Sequence, residues 1–215
     1  MGLDHIAGLL EGYRRFRAGF FQKNKELFRD LATEGQTPKV MVIACSDSRV
    51  DPALITSASP GDLFMVRNVA NLVPPYQPDG SYHGTSAALE FAVRFLAVEE
   101  IIVLGHSKCG GVNALMQGTP VAEGGPEFID PWMAIARKAR DIAASDLAAA
   151  SEDERLRALE KAAIVVSLEN LRTFPWIDNA AKKGCLRLHG WHFDIGTGTL
   201  YRFEPRSGRF EPLGG

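Results

Sequence analysis

Two thiols and an imidazole in this chain stand where a metal ion could use them. Cys45 lies in Cys45-Ser46-Asp47-Ser48-Arg49, directly after the apolar run Val40-Met41-Val42-Ile43-Ala44. His106 and Cys109 lie in Gly105-His106-Ser107-Lys108-Cys109-Gly110-Gly111, which follows Ile101-Ile102-Val103-Leu104. Cysteine sulfur and histidine nitrogen suit zinc, which takes both in tetrahedral geometry. Structural zinc sites are normally closed by four protein ligands, so a Cys/His/Cys set with no obvious fourth predicts a catalytic ion with an open position for water. Cys109 opens a helix that begins at Gly110-Gly111, and a helix N-terminus favours the thiolate that zinc requires. Taken alone, Cys45 reads as a buried strand-end cysteine; joined to His106 and Cys109 it reads as a ligand. Cys185 has no motif partner and is expected to be inert.

The elements that deliver these residues can be read from periodicity. Residues 40–44, 63–66 and 101–104 read as strands, and 85–98 as a helix with Ala88, Phe91, Ala92 and Phe95 on one face. Strands separated by helices predict an α/β domain with a mostly parallel central sheet flanked by helices. In such sheets reactive groups gather outside the carboxyl ends of strands, where strand order reverses, and Cys45 and His106 occupy two such ends. Upstream, Ile6, Leu9, Leu10, Tyr13 and Phe16 recur at helical spacing within residues 3–21, and a second helix covers 25–32 before the break at Gly35-Gln36-Thr37-Pro38. Downstream, a short helix ends over 113–117, a loop spans 118–125, and helices cover 131–149, 152–173 and 175–183. Residues 186–195 and 199–203 flank Gly196-Thr197-Gly198 and predict a closing antiparallel pair. His189 and His192 lie three apart on the first of these, so they face opposite ways and cannot share a metal. The expected organisation is one domain over 1–215: an N-terminal helical arm at 1–34, a catalytic core at 35–203 and a C-terminal tail at 204–215.

Composition narrows the function classes. The chain has 215 residues, 46% hydrophobic and 23% charged, which suits one well-packed domain. A formal net charge of −2 gives no reason to expect nucleic acid or an anionic membrane as partner. Arg14, Arg15 and Arg17 sit at helical spacing and read as a solvated face. Three cysteines are too sparse for a disulfide scaffold and indicate a reducing compartment. No leader-like N-terminus or membrane-length apolar run is present, so the expected location is cytoplasmic, with no membrane partner.

Together these motifs resemble the β-class carbonic anhydrases. The resemblance rests on Cys45-Ser46-Asp47-Ser48-Arg49, Arg67-Asn68-Val69-Ala70-Asn71, His106-Ser107-Lys108-Cys109-Gly110-Gly111 and Leu188-His189-Gly190-Trp191-His192-Phe193-Asp194, in order along residues 36–203. It implies one Zn2+ per chain held by Cys45, His106 and Cys109, with Asp47 and Arg49 as the catalytic pair beside it. It also implies reversible hydration of carbon dioxide to bicarbonate and a proton, by attack of zinc-bound hydroxide. Val42 and Ala44 stand where one bacterial subclass has Trp and Gly, so the chain is more similar to the plant-type subclass. That similarity implies a substrate site of Gln36, Phe64, Val69, Tyr82 and Gly110, and an open, water-bearing zinc. It further implies N-terminal helices that pack on a second subunit, giving a homodimer or a larger assembly such as a tetramer or octamer. His83, next to Tyr82, is a candidate proton relay, weighed against a plain surface histidine. Two alternatives stay open: hydrolysis of carbon disulfide or carbonyl sulfide on the same scaffold, and an inactive zinc-binding scaffold.

Overall fold

The computed structural model describes residues 5–117, 127–144 and 150–214. The chain divides into two compact units, residues 1–37 and 38–215.

In the first unit, α1 (His5–Phe16) runs into a π-helical turn (Arg17–Phe21), and α2 (Lys25–Glu34) follows. The long helix expected over 3–21 is therefore an α-helix that widens in its last turn. Residues 1–4 lie outside the described residues. Phe16, Phe20, Phe21 and Phe28 cluster by ring contact, with Phe21 and Phe28 centroids 5.0 Å apart, and this aromatic knot joins α1, the π turn and α2.

The second unit is a six-stranded sheet with helices. In chain order it comprises β1 (Val40–Cys45), α3 (Pro52–Thr56), β2 (Leu63–Asn68), α4 (Gly84–Glu90), β3 (Glu100–His106), α5 (Gly110–Gln117) and α6 (Ile129–Met133). It continues with α7 (Arg137–Ala144), α8 (Glu152–Leu171), α9 (Pro175–Lys182), β4 (Arg187–Phe193), β5 (Leu200–Glu204) and β6 (Arg209–Pro212). Strand order is β2-β1-β3-β4-β5-β6; the first four strands are parallel, and β5 and β6 close the sheet antiparallel. From β1 the chain steps to β2 on one side and later to β3 on the other, so strand order reverses between β1 and β3. Their carboxyl ends stand side by side at that point.

Side-chain alternation sorts the core. Met41, Ile43, Ile101 and Val103 pack one face against Leu89 of α4, Ile164 and Leu171 of α8 and Ile177 of α9, while Val42, Ala44, Ile102 and Leu104 form the opposite face with Trp191 and Phe193. α8 is the central helix. It buries residues on most of its circumference and lies so close to the sheet that a Cβ on Gly105 would sit 2.7 Å from Ile164 Cδ1, and one on Gly190 2.8 Å from Ile164 Cγ2. Its start is fixed by a reciprocal capping box, in which the Ser151 hydroxyl accepts from Glu154 N–H and the Glu154 carboxylate accepts from Ser151 N–H.

Three expected boundaries changed. The helix read over 85–98 starts at Gly84 and turns π-helical at Phe91–Phe95. The helix read over 131–149 is α6, a 3-10 segment (Ala134–Ala136) and α7; buried Met133, Ala136 and Ala139 recur every third residue, the 3-10 repeat. Residues 145–149 and the loop read over 118–125 lie outside the described residues. The sheet also extends past residue 203, because β6 adds an edge strand in the segment read as a tail. Its four residues carry Pro212 and one half-buried aromatic, Phe210, too little alternation to read beforehand.

Candidate metal centre

Cys45 ends β1, His106 ends β3, and Cys109 immediately precedes α5. All three are buried, and their ligand atoms lie within 4.8 Å of one another. The two sulfurs are 3.9 Å apart, far beyond a disulfide. Two Zn–S bonds of ~2.3 Å at a tetrahedral angle would set their sulfurs about 3.8 Å apart. His106 Nδ1 lies 2.9 Å from the Ser107 carbonyl oxygen and donates its proton there, which leaves the Nε2 lone pair free. Among the described residues, that buried Nε2 has no hydrogen-bond partner.

The electrostatics also call for a cation. A hydrogen bond from the Cys109 thiol, against the opposing effect of burial and with help from His106, pulls the Cys45 thiol down to about 4. The same contact, reinforced by burial, pushes Cys109 far up. Two adjacent buried thiols cannot both ionise unaided, and a divalent ion supplies the charge that releases the second proton. Backbone amides assist: Cys45 is stabilised by the N–H groups of Asp47 and Ala70, Cys109 by those of Gly111 and Val112. The Ala70 amide is aimed by a 3-10 turn (Val69–Asn71) in which Ala70 and Asn71 take left-handed φ of 64° and 49°. Donor types, spacing and the orphaned nitrogen therefore fit zinc.

Beside the donors lies Asp47. Arg49 grips it with both side-chain ends: Nε donates to Oδ1 at 2.9 Å and NH2 to Oδ2 at 2.7 Å, while the Arg49 backbone N–H also donates to Oδ1. This grip holds the Asp47 carboxyl well below the usual carboxylate range. The same NH2 donates to the Lys108 carbonyl, and Lys108 itself has a left-handed φ of 58°. Asp47 Oδ2 stands 3.8 Å from His106 Nε2, close to the donors yet turned toward the guanidinium. The helix cap ahead of Pro52 is Asp51, whose Oδ1 accepts from Leu54 N–H.

Arg67, which opens the second motif of the family resemblance, braces the ligand loop. Its guanidinium donates to the carbonyls of Cys45, Asp47 and Val50 at 2.7 to 2.8 Å and pairs with Asp51. Asn68 closes the next turn through Leu72, and Trp132 Nε1 donates to the Val69 carbonyl at 2.7 Å. The signal for Arg67 was its place one residue before the end of a strand neighbouring β1; its three carbonyl targets leave no mark in a sequence.

A mainly apolar cleft of about 1140 Å³ adjoins the 69–71 turn, lined by Val69, Pro74, Pro75, Tyr82, Phe128 and Trp132 among others. Of the expected substrate residues, Val69 and Tyr82 line it, as does His83, whose Nε2 lies 2.7 Å from Asp79 Oδ1. Phe64 instead stacks on Phe91 at 5.8 Å, Gly110 is exposed with open space around it, and Gln36 is exposed in the first unit. Gly111, the residue after Gly110, is tightly packed: a Cβ there would meet Val69 Cγ1 at 2.8 Å. His189 pairs with Glu100, and His192, on the other face, meets Glu160. Cys185 is exposed and all three cysteines are free.

The carbonic anhydrase family profile matches residues 40–200, three quarters of the chain and all of the elements described above from β1 to the start of β5. The chain belongs to the carbonic anhydrase family. Its relatives include a carbonic anhydrase of Pseudomonas aeruginosa, 39% identical over 95% of this chain and 90% of that one. Another is β carbonic anhydrase 5, chloroplastic, of Arabidopsis thaliana, 43% identical over 89% of this chain and 62% of the relative. Among solved structures, the β-carbonic anhydrase CcaA superposes with a TM-score of 0.90 at 34% identity, over 98% of this chain and 93% of that one. A tetrameric β-carbonic anhydrase of Sordaria macrospora superposes at 0.78 with 30% identity, over 98% and 97%. The β-class fold and the Cys-His-Cys donor set thus occur together in this carbonic anhydrase. Among the described residues, no helix is long and apolar enough to cross a membrane.

Proposed function

We propose that this chain catalyses the reversible hydration of carbon dioxide to bicarbonate and a proton, with one zinc ion per chain held by Cys45, His106 and Cys109. One observation carries the reading: a buried His106 Nε2 with no hydrogen-bond partner among the described residues faces two thiols, with a guanidinium-clamped carboxylate 3.8 Å away. Bound zinc supplies a nucleophile at neutral pH, because it lowers the pKa of a coordinated water towards ~7. The protein's own residues do the rest. Asp47, kept ionised by Arg49, accepts a hydrogen bond from the attacking group and so orients it. Arg49 turns the Asp47 carboxylate toward its own guanidinium and so would keep it from competing for zinc held by Cys45, His106 and Cys109, as in the plant-type subclass. Arg67 fixes the loop that carries both. Val69 and Tyr82 provide apolar surface for a small apolar substrate. The assignment of Gln36, Phe64 and Gly110 to the substrate site rests on the family resemblance. His83, oriented by Asp79 at the rim of the cleft, relays the product proton to buffer.

The sulfur-substrate alternative is not favoured, since relatives 36–43% identical over most of the chain are named carbonic anhydrases. An inactive scaffold has no use for the Asp47–Arg49 clamp. The enzyme works as a homodimer or larger assembly; exposed Leu9, Leu10 and Tyr13 on α1 offer an apolar stripe for a second copy, and the Sordaria relative is tetrameric. Its three free cysteines suit a reducing, cytoplasmic setting.

The test is stopped-flow CO2 hydration with a pH indicator on zinc-quantified protein, from about pH 6.5 to 9, a range that brackets the zinc-water pKa. Fast turnover with one zinc per chain is expected already near neutrality. Stoichiometric zinc with no CO2 turnover at any pH would overturn the assignment.

A further inference from the structure

Glu160 projects from α8 into the core and is only 3% exposed, as is fitting for a leucine and costly for a carboxylate unless its oxygens are bonded. Both are. Oε1 accepts the backbone N–H of Cys109 at 3.1 Å, and Oε2 lies 3.1 Å from Nε2 of His192, itself 1% exposed. Neither side chain is among the zinc donors or the Asp47–Arg49 clamp. Neighbouring positions on the same helix, Leu156, Leu159, Ala163 and Ile164, are buried and apolar, so a buried acid here needs a reason.

Cys109 supplies one. It sits between Lys108, held in left-handed backbone, and the first residue of α5. At a helix start the backbone N–H has no carbonyl of its own helix to bond. The Cys109 sulfur is steadied by the amides of Gly111 and Val112, whereas its own N–H donates, among the described residues, to Glu160. We propose that Glu160, pinned by His192, is a positioning residue for the metal centre: it anchors the backbone of Cys109 so that Sγ is presented to zinc beside Cys45 and His106. The inference rests on the ligand assignment above.

Rigidity makes Glu160 suited to this. α8 is capped at Ser151 and packs Ile164 against Gly105, the residue before His106, and against Gly190. A group delivered from α8 is therefore referenced to the strand that carries His106. His192 belongs to β4, paired in register with β3 at Gly105. The metal donors from β3 and from the start of α5 are thus tied through one helix and two strands. Removal of a group that orients a ligand typically weakens metal binding 10- to 100-fold.

The experiment measures zinc affinity of the full-length protein by competition with a chromophoric chelator, and the thiolate-to-metal charge-transfer spectrum of the cobalt-substituted protein. Glu160→Leu keeps the volume and removes the acceptor; zinc binding about 10- to 100-fold weaker and an altered cobalt spectrum are expected. Glu160→Gln keeps an acceptor for Cys109 N–H and should stay within about threefold of wild type, well inside that loss. A Glu160→Leu protein that binds zinc as tightly as wild type, with an unchanged cobalt spectrum, would overturn the proposal even if it melts earlier, since a merely structural role lowers the melting temperature alone. Should that variant not fold, His192→Phe decides: affinity weakened about tenfold supports the anchor, and unchanged affinity overturns it. Wild-type protein that fails to bind one zinc would instead sink the ligand assignment on which the inference stands.

Discussion

Asp47 stands 3.8 Å from His106 Nε2, and the Arg49 guanidinium holds both of its oxygens. Cys45→Ala should abolish zinc binding and turnover together. Asp47→Ala should keep zinc, measured by metal analysis, while kcat falls at least a hundredfold, the scale for a lost proton-handling group; undiminished CO2 hydration would remove Asp47 from the mechanism. The linkage has a definite sign. The folded state holds the Asp47 carboxyl below its ordinary value, so the stability contributed by the pair is complete above about pH 4 and is lost as pH falls through the depressed value. The urea midpoint gap between wild type and Asp47→Asn should therefore be equal at about pH 8 and pH 5.5 and shrink only below about pH 4, the unperturbed carboxylate range. A gap that already collapses near neutrality would mean that Arg49 does not govern this carboxyl.

At the scale of elements, the site depends on how closely α8 lies on the sheet. Gly105 and Gly190 leave no room for a methyl group beneath Ile164. Gly105→Ala should destabilise the protein by about 1–3 kcal/mol, as overpacking does, in chemical denaturation, and Ile164→Val should recover part of that loss because the nearest contact is Ile164 Cδ1. No recovery would locate the strain elsewhere. β1 and β3 were legible as continuous apolar runs because both of their faces are buried, and the helix period was legible where one face is. That period failed where the repeat is not 3.6, as in the π turns of Arg17–Phe21 and Phe91–Phe95 and the 3-10 segment between α6 and α7. The capping box Ser151-Glu152-Asp153-Glu154 was a readable sign of the start of α8.

For the whole molecule, metal and assembly are the two levers. Zinc bound only by the folded state adds about 4 kcal/mol at a concentration a thousandfold above its Kd, so chelation should lower the melting temperature and zinc should restore it. A chelated protein that melts unchanged would argue against a site that exists only in the folded chain. Leu9, Leu10 and Tyr13 of α1 are at least half exposed, an apolar stripe that a second copy would cover. Leu10→Glu with Tyr13→Glu should shift sedimentation velocity toward monomer. Assembly that survives both charges would place the interface on another surface.

Residue order alone was enough to read the donor types, their spacing and the strands that end in them. Those are local properties: a sulfur or imidazole is fixed by residue identity, and a buried strand announces itself by its apolar run. Which groups meet across long separations is settled by packing instead. The Arg67 bonds to the carbonyls of Cys45, Asp47 and Val50, the amide of Ala70 aimed at Cys45, and the reach of Glu160 to the backbone of Cys109 all depend on main-chain partners. Every residue carries the same carbonyl and, proline apart, the same N–H, so such contacts leave no trace in side-chain identity and appear only once strand order and helix packing bring the chain together.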